Sequence, residues 1–363
     1  MKTRNLLFAA FVAAMAMAAC ESVLPEQQPP IDEPRTFTVH LGMSGEINVS
    51  QNPLTRFTPD DRDLYGIQVY HKPASESRYQ PFAYGLFDNL ENAKLEVTEN
   101  YNYAIEVILV NDGKDKISRD SILVDNVPYV GYDKPFRAYN LYPGATAQSV
   151  TIVSNEFTYA EDRYFDRQYD GERDLRFAPA GRPNSDFIAP RLDTYYGKLV
   201  GYTPTTEGAV IDIYMKHMIY GLKVEVGEFF NEGKLEVYLK RLEFSNGSAD
   251  GTYETYTLTP DNKNKEYIYS HYEVGKWYNQ TDVTKATVNR DIDFKWIKDD
   301  GSTVEWQEKS IQFTRLKETV VTLDYYEDES AGSNNISMHY DDTEMELGYK
   351  SYVIGDTQDE YDW

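Results

Sequence analysis

The chain has 363 residues, with 60 Asp and Glu against 36 Lys and Arg, for a formal net charge of −24. An acidic excess of that size opposes binding to nucleic-acid phosphates and adsorption to anionic lipid, and it keeps a surface protein dissolved. With a single cysteine the chain can close no disulfide within itself and build no cysteine cage for zinc, so its stability rests on core burial.

The chain opens on a basic start, Lys2 and Arg4, followed by an apolar run from Leu6 to Ala19. That order, ending in small residues before Cys20, is the pattern of a secretory signal peptide over residues 1–19. A spanning helix needs roughly 20 apolar residues, so this run is short for a membrane anchor. The placement of the only cysteine directly after it is informative. Met17-Ala18-Ala19-Cys20 resembles a bacterial lipobox, with Met at position −3 where that pattern prefers Leu. The resemblance implies a diacylglyceryl group on the Cys20 thiol, cleavage before Cys20, and acylation of the new amino terminus with a palmitate-type chain. Several acyl chains, each adding about 0.8 kcal/mol per buried methylene, hold a protein to a bilayer far more firmly than one. The net charge of −24 includes +2 from Lys2 and Arg4, so the mature chain carries −26.

Residues 20–35 include "ESVLPEQQPPIDEP", rich in Pro and acid with little to bury, and read as an extended tether. From Thr36 the texture changes to short β runs. "TFTVHL" (36–41), "YGIQVY" (65–70), "AKLEVT" (93–98), "YAIEVILV" (103–110), "DSILVD" (120–125) and "QSVTIVS" (148–154) mostly alternate apolar with polar residues between turn formers. In the fourth run Tyr103, Ile105, Val107 and Leu109 share one face. Alternation with one wet face predicts an antiparallel sheet in a sandwich, here spanning residues 36–155.

Residues 156–194 interrupt the pattern and predict a connecting segment, charged and aromatic at first, then rich in Gly and Pro. Asp162, Asp166, Asp170 and Asp174 recur every four residues. Calcium binding there is one reading; the interleaved Arg163, Arg167 and Arg173 favour a solvated, ion-paired surface. A second series of strands follows within 195–363: "AVIDIYMK" (209–216), "MIYGLKVEV" (218–226), "KLEVYLKRLEF" (234–244), "TYETYTL" (252–258), "EYIYSHY" (266–272), "DIDFKWI" (291–297), "TVEWQE" (303–308), "SIQFTRL" (310–316) and "TVVTLDYY" (319–326). With no long amphipathic helix between them, these predict a second sandwich. The tail from Ser330 begins as a polar loop and ends acidic, with "YKSYVI" (349–354) as a last candidate strand that could close its own sheet or pair with another chain.

No catalytic or metal-binding pattern stands out, so no catalytic residue, metal ligand or cofactor is assigned and the chain reads as a non-enzyme. His40, His71, His217, His271 and His339 lack ligand spacing, and His217, between two strands, reads as a satisfied structural histidine. "GMSGE" (42–46) is a Gly-Ser turn, not a nucleophile elbow, and "DGKDKISRD" (112–120) and "DNKNKE" (261–266) lack the spacing of a calcium loop. The 31 tyrosines suit strand faces and the rim of a core, and they would also serve an interface with a protein or glycan.

A lipobox, an acidic tether and two Tyr-rich β-sandwiches in series resemble the fimbrillin-like lipoproteins of Bacteroidetes, the subunits and adhesins of their pili. The carrying stretches are "DLYGIQVY", "GAVIDIYMKHMIYGLKVEV" and "IQFTRLKETVVTLDYY", the last with an Arg-x-x-x-Thr pattern at Arg315 and Thr319. The resemblance implies an all-β fold of two tandem Greek-key, transthyretin-like domains, delivery to the outer membrane as a surface lipoprotein, and assembly with other fimbrial subunits by strand exchange. In that scheme a protease cuts after an arginine, the first strand leaves, and a neighbour's strand takes its place. Arg35 and Arg56 are the candidate cut sites, and a cut after Arg56 would release "TFTVHL". The rival reading is a surface glycan-binding lipoprotein of a polysaccharide-uptake system. Its sign would be coplanar exposed aromatic rings, for which Trp277, Trp296, Trp306 and Trp363 all lie in the second half.

Overall fold

The computed structural model describes residues 34–46, 62–117, 119–133, 150–160, 192–240, 253–263, 265–270, 274–328 and 333–344. Thr36–Trp363 form one compact unit, separate from Met1–Arg35. In chain order its strands are β1 (Thr36–Gly45), β2 (Leu64–Pro73), β3 (Gln80–Phe87), β4 (Lys94–Thr98), β5 (Tyr101–Val110), β6 (Arg119–Val124), β7 (Val127–Asp133), β8 (Val150–Ile152), β9 (Thr158–Tyr159), β10 (Thr194–Tyr202) and β11 (Val210–His217). They continue with β12 (Ile219–Val226), β13 (Lys234–Lys240), β14 (Tyr253–Leu258), β15 (Lys265–Ser270), β16 (Thr287–Ile297), β17 (Thr303–Thr314), β18 (Lys317–Asp328) and β19 (Ser333–Glu344). The protein is all-β, as expected, and the helical pieces among the described residues are a turn or so each.

Eight strands form one sheet in the order β4-β1-β11-β10-β5-β2-β3-β9. Its alternating residues Val39, Leu41, Ile67, Val69, Leu95, Val97, Ile105, Val107, Ile211 and Ile213 all belong to one buried cluster. Ala83 and Phe87 of β3 and Tyr195 of β10 join the same cluster, so seven of the eight strands contribute side chains to one core and the sheet curls around it. The two edge strands meet as well: the Glu96 backbone N–H of β4 donates to the Tyr159 hydroxyl of β9 at 2.8 Å.

The other face of the same sheet is exposed along β4 and β11 but covered at the middle of the sheet. Leu64, Leu86, Ile108, Val110 and Tyr196 join a larger core with Leu222, Leu235, Trp277, Phe294, Trp296 and Phe313 from the second half. β2 and β5 are therefore buried on both faces, and their polar members Gln68 and Glu106 are buried with them. The second half packs two four-stranded sheets, β15-β12-β18-β19 and β14-β13-β16-β17, with a small sheet β6-β7-β8 elsewhere. The pairing is mostly antiparallel, but β1 with β11 and β12 with β18 run parallel.

Three features differ from the sequence reading. Residues 195–217 were assigned to the second sandwich because they follow the long connection; instead β10 pairs with β5 and β11 pairs with β1, inside the first sheet. The chain then crosses from β11 to β12 through Met218 alone, with the Met218 N–H bonded to Thr194 O at 2.8 Å. Within the expected connecting segment, β9 pairs with β3. Finally, the stretch read as a polar loop after Ser330 contains β19, paired along twelve residues of β18. Residues 349–354 lie outside the described residues.

Candidate functional site

β1 is the first strand of the compact unit, yet it lies inside the sheet. Residues Thr36–His40 pair antiparallel with β4, and His40–Gly45 pair parallel with β11. Among the described residues β4 and β11 meet no other strand at this place in the sheet, so β1 is the one described element joining them. Val39 and Leu41 are buried in the curled core, and Phe37 and Met43 lie partly buried beside it. The loop before β11 adds contacts: His40 N–H to Ala209 O and Gly208 N–H to Thr38 O, both 2.8 Å, and Thr38 N–H to the Glu207 carboxylate at 2.9 Å. Removing β1 would therefore leave a slot walled by two strands and floored by apolar side chains.

The far end of β1 is fastened to the second half of the chain. Gly45 has φ of +105°, and a Cβ there would stand 2.4 Å from Met215 O, so only glycine fits. This turn brings Glu46 onto Arg315, in the turn between β17 and β18. Arg315 donates from Nη1 to Glu46 Oε2 at 2.7 Å and from Nη2 to Oε1 at 3.2 Å, a two-pronged pair whose arginine side chain is 2% exposed. The same Nη1 donates to His217 O at 2.8 Å, and the His217 N–H donates to Glu46 Oε2 at 2.9 Å. His217 in turn pairs through Nε2 with Asp193, which also accepts from Asn111 Nδ2 at 2.8 Å. The Tyr195 ring stacks on the His217 imidazole, with centroids 4.0 Å apart.

The charges here are self-consistent. Burial pushes the Glu46 carboxyl up, but the Arg315 hydrogen bond, the His217 N–H and the nearby positive charge outweigh it and hold the group below its ordinary range. Asp193 behaves alike: burial raises it, and His217 and Asn111 more than compensate. The lysine next door, Lys216, is pushed down by burial and by Arg315.

The structure sorts the remaining candidates. Arg35 is exposed immediately before β1, while Cys20 and Arg56 lie outside the described residues. His217 is buried and partnered, as expected of a structural histidine. His71 stacks between Phe82 and Tyr101. Among the described residues no group of three or more His, Cys, Asp or Glu is arranged to hold a metal ion. The turn at 112–116 begins with Asp112 in a left-handed conformation, its carboxylate engaged by Arg62 and Lys116. Trp277, Trp296 and Trp306 are core residues, 1%, 3% and 8% exposed, so none of the three offers a ring to a glycan, whereas Tyr129, Tyr159 and Tyr214 are exposed. Many tyrosines are core residues too, including Tyr65, Tyr70, Tyr103, Tyr196, Tyr220 and Tyr269. Sequence reasoning singled out Arg315 but missed Glu46 and the pairing between them. A glycine-acid pair closing an alternating strand was the only local signal, and Arg315 lies 269 residues away.

No protein-family model matches the chain, and no curated protein matches it. Among solved structures it is similar to the fimbrial anchor protein Mfa2 from Porphyromonas gingivalis, at 8% identity over 85% of this chain and 98% of that one, with a TM-score of 0.34. It is likewise similar to the tip fimbrial protein Mfa3 from the same organism, at 8% identity over 85% of this chain and 100% of that one, with a TM-score of 0.33. Both are fimbrial proteins.

Proposed function

We propose that the chain is a fimbrillin-like surface protein, structural or adhesive, held to the outer membrane through acylated Cys20, and that β1 is its exchangeable strand. The observation that supports this reading most directly is the position of β1. A strand contributed from the amino-terminal end of the compact unit fills an interior slot that, among the described residues, no other strand closes. Any strand of alternating apolar residues can occupy such a slot, because backbone hydrogen bonds supply the pairing and every second side chain fills the floor. In this reading a protease cutting after Arg35, which is exposed immediately before β1, would detach the tether, and one cutting after Arg56 would free β1 itself. The partners in this reading are other fimbrial subunits, and no catalytic residue takes part. Burial takes three tryptophans out of any glycan platform, and the exposed Tyr129, Tyr159 and Tyr214 are the described rings that the glycan-binding alternative would use.

The test is intact mass spectrometry and amino-terminal sequencing of the protein from surface fractions of its native cells. A lipidated species beginning at Cys20 supports the anchored surface role and counts against exchange of β1. A species beginning at Phe57, within ladders that survive mild detergent, supports a strand-exchanged polymer. Unacylated, full-length protein recovered only from inside the cell overturns the reading.

A further inference from the structure

Building on that reading, we propose that Arg315 is the residue through which the β1 slot recognises its occupant: the strand that fills it, β1 or a strand from another subunit, is selected by a carboxylate one residue beyond its terminal glycine. The apolar floor under Val39 and Leu41 accepts any strand of the right alternation and has little power to discriminate. The end of the slot is different. Arg315 is buried, Glu46 is the one carboxylate that pairs with it among the described residues, and its Nε has no partner. Asp193 is already engaged by His217 and Asn111. If β1 departs, Arg315 keeps the His217 carbonyl and lies near a second cation, Lys216. What remains is a buried positive site at the end of an apolar slot, which a neutral strand end cannot satisfy.

The arrangement also sets register and direction. The carboxylate reaches Arg315 because Gly45 turns the chain at the last pair with Met215, and because the strand runs parallel to β11. A slip by one residue would move the carboxylate off the guanidinium and turn the apolar set away from the core at the same time. Two independent demands, alternation and a final glycine-acid step, therefore define the partner: a strand with inward apolar residues at every second position, then Gly-Glu or Gly-Asp.

The experiment uses the full chain with a protease recognition sequence inserted between Asn52 and Pro53. After cutting, two labelled peptides of residues 36–50 are offered to the nicked protein, one of native sequence and one carrying Glu46→Gln. The native peptide is expected to bind at least tenfold more tightly, and a nicked E46Q chain is expected to lose its own β1 fragment at least tenfold faster than the native chain. Equal binding of the two peptides would overturn the role of Arg315 while leaving strand exchange intact. Faster loss of the E46Q fragment with no uptake of either peptide would support Arg315 and overturn exchange. Retention of both fragments alike, with no peptide uptake, would overturn both.

Discussion

At the centre of the first sheet Glu106 lies in register with Gln68 on one side and Lys198 on the other, and it is 1% exposed. Tyr196 donates a hydrogen bond to its Oε1 at 2.8 Å. Burial pushes its carboxyl up to about 8, against the opposing pull of Tyr196, Lys198 and Tyr70. The folded state thus holds a proton that the unfolded chain releases near pH 4.5, so stability falls as pH rises from there to about 8 and levels off beyond it. Glu106→Gln should flatten that decline and leave the variant more stable than the native chain at pH 9, which thermal melts of both across pH 5 to 9 would register. If the melts stay parallel, Glu106 is not the group that titrates. Gly45→Ala makes the opposite demand, placing a side chain at φ of +105° against Met215 O, and should cost about 2 kcal/mol or more in denaturant melts. The structural role of His217 was legible in the sequence because it sits between two strands with no ligand spacing. The pairing of Glu46 with Arg315 was not, since only the folded chain brings residues 269 apart together.

At the scale of elements, strands with clean alternation, such as β11 and β13, were legible because one inward face needs every second residue apolar. The strands that escaped notice each lack that signature for a physical reason. β3 carries Pro81 and Gly85, β10 carries Gly197 and Gly201, and β19 is polar through most of its length. Their pairing comes from neighbours: β10 is drawn in by β5 and β19 by β18, through backbone groups that the side-chain pattern does not reveal. For β1 the energetic consequences follow from its two attachments. Leu41→Ala removes a buried side chain from the curled core and should cost about 2 to 4 kcal/mol. The Glu46 and Asp193 carboxyls, both held below their ordinary range, contribute stability that is present above about pH 4 and is lost as pH falls through their folded values. Acid should therefore loosen the end of β1 early. Hydrogen exchange at pH 5 and pH 3 would detect this as selective loss of protection in Gly42–Gly45 and Tyr214–His217, and uniform loss across the first sheet would contradict it.

Across the whole molecule, the sequence pointed to two sandwiches in series, and the division between them is where the expectation was least accurate. The middle of the first sheet is covered on its back: Leu64, Ile108 and Tyr196 belong to the same core as Trp277, Trp296 and Phe313. The crossing through Met218 leaves no linker, and Lys216 reaches the backbone carbonyl of Tyr278 at 2.6 Å while the Tyr278 hydroxyl returns to Tyr214 O at 3.0 Å. A shared core of this kind makes the two halves one cooperative system, because exposing either face costs the apolar burial of both. The described tryptophans all lie in the second half, so their fluorescence reports on that half, whereas far-ultraviolet circular dichroism reports on all the strands. The two probes should trace one coincident unfolding transition. Ile108→Ala, in the first sheet and 1% exposed, should move the tryptophan transition by the same denaturant increment as the dichroism, with a cost of about 2 to 5 kcal/mol. Were the tryptophan transition to stay in place while the dichroism split into two steps, the core would be continuous in space but not in energy, and β1 exchange would then disturb the first sheet alone.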